Sequence, residues 1–140
     1  MLTLKQKLPV SIPSKLIEFI ARHVQKDGLS TINFRDTSYS PTEGGFRPVE
    51  IMVEKRDTDF AIHYYTEFSF QGPPCYAELG KSNDFDFIAN AFMSEQLGYM
   101  PITEELNDAF EMFVNNTMNY FGSNCFDEVR VAHIGGNQLL

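Results

Sequence analysis

The sequence has little of what usually announces a chemistry. Its 140 residues include two cysteines and three histidines. Cys75 and Cys125 lie far apart, in no metal or redox spacing, and in a reducing compartment they read as buried or idle thiols rather than a disulfide. His23, His63 and His133 fall in separate elements with no pair at ligand spacing, so no metal site is expected. No serine sits in a G-x-S-x-G elbow and no G-x-x-x-x-G-K-[ST] phosphate loop occurs. Gly44-Gly45 leads into a strand, not into a helix whose N-terminus could hold phosphate. No catalytic residue and no cofactor is therefore expected, and the reading favours a protein that is not an enzyme. No apolar run reaches the roughly 18–20 residues that span a bilayer. The opening stretch, MLTLKQKLPVSIP, is too polar for a signal peptide. These absences predict a cytoplasmic protein with no membrane partner, although export by a non-classical route leaves no such trace.

Positive charge is scarce over most of the chain. Net charge is −8. Residues 1–30 carry five Lys or Arg against two acids, and residues 31–140 carry six against seventeen. From Ser82 onward Arg130 is the only Lys or Arg, against nine acids. Such a body repels nucleic-acid phosphates and suits a basic protein partner, or simply solubility.

What the chain does have is aromatic residues and alternation. A hydrophobic fraction of 43%, with 13 Phe and 6 Tyr, supplies the core of one domain over residues 1–140. The stretch 46–70 reads as a hairpin. Val49, Ile51 and Val53 oppose Glu50, Met52 and Glu54 in the first strand. Phe60, Ile62, Tyr64, Thr66, Phe68 and Phe70 oppose Ala61, His63, Tyr65, Glu67 and Ser69 in the second, and Lys55 to Asp59 form the turn. Before the hairpin, a helix capped by Ser11 or Ser14 runs to about Lys26, with Leu16, Phe19, Ile20, His23 and Val24 as its apolar stripe. Asp27-Gly28 ends it. A strand at 30–35 and a loop at 36–45 follow. After the hairpin come a turn at 72–74, a strand at 75–79, a turn at 80–83 and the alternating Asp84-Phe85-Asp86-Phe87. That strand continues toward Met93, unless residues 88–97 are helical. A second helix spans 103–120, capped by Thr103, with Leu106, Ala109, Phe110, Phe113, Thr117 and Tyr120 on its inner side. A strand at 126–134 and a loose tail close the chain. Without strand–helix–strand alternation, the order predicts an α+β fold: a twisted antiparallel sheet flanked by N-terminal and C-terminal helices.

Five acids of the C-terminal half, Asp84, Asp86, Glu104, Asp108 and Glu111, are the candidate protein-binding surface. Asp84 and Asp86 share one strand face. Glu104, Asp108 and Glu111 line the outward side of the second helix. Tyr39, Phe46, Tyr64, Tyr65, Phe92 and Tyr99 are more aromatics than a small core readily hides, which predicts a pocket or a homo-oligomer interface.

The segments Ile32-Asn33-Phe34-Arg35-Asp36, Tyr39-Ser40, Gly44-Gly45-Phe46-Arg47-Pro48-Val49-Glu50-Ile51 and Asp84-Phe85-Asp86-Phe87 resemble a bacterial family of unknown function from marine gamma-proteobacteria, often encoded on genomic islands. The resemblance spans nearly the whole chain. It implies a fold similar to the mitochondrial matrix acidic proteins, which are acidic, oligomeric and bind other proteins, among them the globular heads of a complement component. The acids of those proteins lie in longer loops, whereas here they lie on strands and a helix, so no functional residue is carried over. The leading expectation is an acidic, oligomeric protein-binding protein, such as a genomic-island-encoded interaction factor. The alternatives are a small-ligand or hydrolytic protein with a pocket at the Gly44–Pro48 turn and Asp84/Asp86, and an acidic mimic of nucleic acid.

Overall fold

Alternating strands form one sheet, and two apolar helical stripes cover one side of it. The computed structural model describes residues 2–135. Its elements are β1 (Thr3–Leu4), α1 (Ser14–His23), β2 (Gly28–Arg35), β3 (Val49–Arg56), β4 (Asp59–Gln71), β5 (Glu78–Asp86), β6 (Ala91–Ser94), β7 (Gly98–Pro101), α2 (Asn107–Gly122) and β8 (Glu128–Gly135), with 3-10 turns at Pro74–Tyr76 and Glu104–Leu106. The strand order is β7-β6-β5-β4-β3-β2-β8, antiparallel throughout. β1 adds a short parallel pairing, Thr3 opposite Asp59, along the end of β4. Just beyond it the Gln6 side chain donates to the Ile62 carbonyl and accepts from the Ile62 N–H, at 2.8 and 2.7 Å. This amide stands in for a strand peptide and satisfies backbone groups that would otherwise be orphaned.

The core lies between the sheet and the helices. α1 buries Leu16, Phe19 and Ile20, and α2 buries Phe110, Val114 and Met118. The sheet meets them with Ile32, Phe34, Val49, Ile51, Val53, Tyr65, Phe85 and Phe92. Each such side chain, fully buried, contributes roughly 1.5–3 kcal/mol. Phe110 packs edge-on against Phe85, Phe87 and Tyr65, with ring centroids at 5.0, 5.4 and 5.7 Å.

The structure revises the expected second strand of the hairpin. Met52 pairs with Tyr64 but Val53 pairs with Ile62, so His63 is the extra residue of a β-bulge. Before the bulge Phe60 and Ile62 enter the core; after it Tyr65 does, and Tyr64, Thr66 and Phe68 face away from the helices. One inserted residue thus exchanges the two faces of everything that follows.

Other boundaries move for local reasons. α1 stops at His23, has Pro13 at its N-cap, and makes no side-chain cap bond, so neither Ser11 nor Ser14 caps it. Gly28 opens β2 instead of ending the helix: its φ is +105° and a Cβ there would come within 2.2 Å of the Gly135 carbonyl oxygen. The strand expected at 75–79 is a 3-10 turn followed by β5, which runs straight through the expected turn at 80–83. There Ser82 is a bulge residue, and Gly80 lets the Gln71 side chain lie against the strand. Residues 91–101 form the β6–β7 hairpin, neither one long strand nor a helix. Thr103 precedes a 3-10 turn and makes no side-chain cap bond. The tail expected to be loose lies outside the described residues from 136 onward.

Candidate functional site

On the face of the sheet away from the helices, a hollow lined by strand residues alone holds the acids expected at 84 and 86, while Glu54 and Ala61 further along that face are buried. Cross-strand register sets out its middle. Glu50 is opposite Thr66, Thr66 opposite Asp84, Asp84 opposite Met93, and Met93 opposite Tyr99. The adjacent row runs Met52, Tyr64, Asp86, Ala91. The Tyr64 hydroxyl donates to the Glu50 carboxylate. Thr66 Oγ1 donates to Asp84 Oδ1 at 2.7 Å, and Lys81 Nζ lies 3.6 Å from Asp84 Oδ2. Asp86 Oδ1 accepts the N–H groups of Ile88 and Ala89, which fixes the turn into β6. Together with Phe68 these side chains line a shallow hollow of about 280 Å³. Burial, reinforced by the Glu50 and Asp84 charges, pushes the Tyr64 hydroxyl well above the ordinary tyrosine range, so it stays a proton donor. Tyr99 is 83% exposed on this face.

Glu104, Asp108 and Glu111 are also exposed, but on the outer side of the helix layer. The sheet separates them from Asp84 and Asp86, so the five candidate acids form two surfaces, not one. The pocket expected from the Gly44–Pro48 turn together with Asp84/Asp86 divides in the same way: Arg47 lines a cleft on the helix side, the two aspartates the hollow on the other.

That helix-side cleft, of about 500 Å³, was not evident in the sequence. Its floor is Glu67 and Asn83, cross-strand partners on β4 and β5. Its wall is Phe113, Asn116, Thr117 and Tyr120, one side of the second half of α2. The loop at Gly45–Arg47 and the β6–β7 turn at Ser94–Gln96 close its ends. Glu67 Oε1 accepts from Arg47 Nη1, Asn83 Nδ2 and Ser82 Oγ, at 3.2, 3.0 and 3.3 Å. The loop is held by Asp36, whose carboxylate accepts from Ser38 and from the Phe46 N–H and therefore titrates below the usual range, chiefly through the Phe46 bond. Gly45, at φ +132°, leaves the room a Cβ would take from Asp36 Oδ2, 2.7 Å away. Polar residues at 116 and 117 between Phe113 and Tyr120 were the one available signal, a gap in an otherwise apolar stripe.

The remaining candidates are accounted for within the fold. His23 stacks on Phe19 with ring centroids 4.0 Å apart, His63 bonds buried Glu54 at 2.8 Å, and His133 bonds the Asp27 carbonyl. Among the described residues no three His, Cys, Asp or Glu side chains gather to hold a metal ion. Cys75 is exposed rather than buried, Cys125 is half-buried, and both are free thiols. Tyr65 and Phe92 are core residues, Tyr39 packs on Phe70, and Phe46 packs on Tyr120. No described helix is long and apolar enough to cross a membrane.

Residues 7–132 match the model of a family described as protein of unknown function, DUF2787. The chain belongs to the DUF2787 family. Two solved structures are similar to this DUF2787 chain, both of hypothetical proteins from Vibrio cholerae. One, VC0508 of the VSP-II pathogenicity island, is 27% identical with a TM-score of 0.80, over 91% of this chain and 98% of that one. The other, VC1805 of pathogenicity island VPI-2, is 26% identical with a TM-score of 0.77, over 93% and 100%, and shares structural homology with the human P32 protein. The DUF2787 chain thus has the P32-like fold, that of the mitochondrial matrix acidic proteins. No curated protein matches it.

Proposed function

We propose that this DUF2787 protein is a non-enzymatic protein-binding protein, and that its open sheet face takes a basic, partly apolar segment of a cytoplasmic partner. The observation carrying this reading is the side-chain mixture on that face. Glu50, Asp84 and Asp86 stand beside Tyr64, Phe68, Met93 and Tyr99 with no helix over them. Aromatic and methionine side chains, half-buried at Tyr64, Phe68 and Met93 and exposed at Tyr99, beside three carboxylates against one cation, Lys81, among the described residues of the hollow, suit a protein-docking surface. Likeness to two pathogenicity-island proteins fits a partner-interaction factor. An acidic mimic of nucleic acid would need a regular row of carboxylates, and here they cluster on two rows.

The test is titration of 15N-labelled protein with a synthetic peptide of alternating Lys and Leu. Binding should perturb the amides of β4, β5 and β6 and weaken at least tenfold between about 0.05 and 0.5 M salt, as screening shortens the reach of exposed charge. Perturbation confined to α2, or no dependence on salt, would contradict it.

A second reading has a copy of the chain covering the same face. The exposed Tyr99 favours it, whereas a like carboxylate cluster facing its own copy disfavours it. Light scattering after gel filtration separates the two: a dimer or trimer stable at low and high salt supports the self-covered face, a monomer the basic partner.

A further inference from the structure

We infer that the cleft beneath α2 is a second binding site, for a small neutral hydroxyl-rich molecule of the saccharide class. The cleft stands apart from the open sheet face, and its argument does not depend on that face. Everywhere else the space between helices and sheet is filled by apolar side chains, whose burial stabilises the fold. Here the same layer holds a carboxylate, a guanidinium and two amides. The pair that Arg47 and Glu67 form is open to solvent on the Arg47 side and mostly covered on the Glu67 side, and pairs of that kind contribute little, so the polar floor is not explained by stability.

The arrangement is that of a built site. Arg47, Asn83 and Ser82 all bond one oxygen of Glu67, Oε1. Among the described residues Oε2 accepts nothing from the protein, and Glu67 lines the cleft. A carboxylate oxygen oriented by three donors on its twin, with an open lone-pair side, is a pre-arranged acceptor for a ligand hydroxyl. Asn116 on α2 and Gln96 on the hairpin turn each offer an amide that can both donate and accept. Phe46 and Tyr120 lie with ring centroids 4.8 Å apart at the rim and supply an apolar surface for the C–H face of a sugar ring.

Charge narrows the ligand further. The Arg47 guanidinium is paired with Glu67 at 3.2 Å, and Glu95 adds a second carboxylate. The cleft has no excess positive charge to hold an anion such as a phosphate. Paired donors and acceptors over rings suit many hydroxyls. The volume of about 500 Å³ lies within the roughly 300–1,000 Å³ of small-molecule sites.

The experiment is 1H–15N titration of the whole chain with N-acetylglucosamine, galactose, maltose and cellobiose, with inorganic phosphate and spermidine as anion and cation probes, each to about 10 mM, which detects Kd values into the millimolar range. At least one saccharide should shift the amides of Phe46, Glu67, Asn83, Glu95 and Gln96 saturably. Glu67→Gln, nearly the same in shape, should weaken binding at least tenfold. Asn116→Leu, at an exposed helix position that leaves the floor intact, should do the same by blocking the wall, with an unchanged melting temperature showing that the fold survives. No shift with any saccharide, shifts elsewhere, shifts with phosphate or spermidine alone, or saccharide binding that survives both variants would overturn the inference.

Discussion

Tyr64 and Tyr65 are neighbours in one strand with the same chemistry and opposite surroundings. Tyr65 points under α2, is fully buried, and bonds Thr117 and, at 3.1 Å, the Phe113 carbonyl. Tyr64 points to the open face and donates to Glu50. The bulge at His63 decides which tyrosine goes where. The difference separates the two sides of the sheet. Its helix side holds the core and borders a polar cleft; its open side is the surface proposed for recognition.

The sharpest way to break that division is to truncate matching aromatics on the two sides. Phe85→Ala removes a ring that packs against Phe92 and Phe110, and should cost about 3–5 kcal/mol in urea denaturation. Phe68→Ala on the open face should cost about 1 kcal/mol or less. Equal losses would mean that the open face is covered by something that stabilises it. Next in size is Gly28→Ala. A Cβ would collide with Gly135, so β8 must shift away from β2, at a cost of about 1–3 kcal/mol in thermal melts. Losing only the β8 amide protection, with the melting midpoint held, would instead make β8 a separately opening edge.

The tyrosines themselves give a pH prediction. Burial raises both hydroxyls above their unfolded values, with Glu50 adding to the effect on Tyr64. A raised folded value means that stability is complete below the unfolded tyrosine value of about 10 and falls as pH rises beyond it. Tyr65→Phe should flatten this alkaline limb more than Tyr64→Phe, because Tyr65 is the more buried. The smallest effect concerns the loop that closes the cleft. Asp36 is lowered, so its contribution holds above the usual carboxylate value of 3.8 and is lost as pH falls through the lower folded value. Shifts of the Ser38 and Phe46 amides at a pH below 3.8, absent in Asp36→Asn, would report it.

Much of this layout was legible. The alternation of Asp84-Phe85-Asp86-Phe87 placed acids out and rings in, and the apolar period of α2 placed Phe110 inward, because each rests on local geometry alone. The order of elements was enough for the α+β class. What remained hidden depends on register. Nothing local marks His63 or Ser82 as bulges, and a bulge moves Tyr64, Tyr65 and Glu67 to new sides at once. Glu67 therefore looked like an outward acid. The cleft was invisible for the same reason, since Arg47, Glu67, Asn83 and Asn116 come from four separate segments. That Glu104, Asp108 and Glu111 lie on a different layer from Asp84 and Asp86 was not legible either, because composition carries no information about which layer a charge lies on.

The most direct test of the two-sided account compares two charge-neutral triple variants in calorimetric titrations with the Lys–Leu peptide at low salt. Glu50→Gln/Asp84→Asn/Asp86→Asn removes the open-face cluster; Glu104→Gln/Asp108→Asn/Glu111→Gln removes the same number of charges from the helix layer. The account predicts at least a tenfold loss of affinity for the first, about 1.4 kcal/mol or more, and less than about threefold for the second. Equal losses would reduce the attraction to net charge, and a larger loss for the helix variant would place the binding surface on the other side of the molecule.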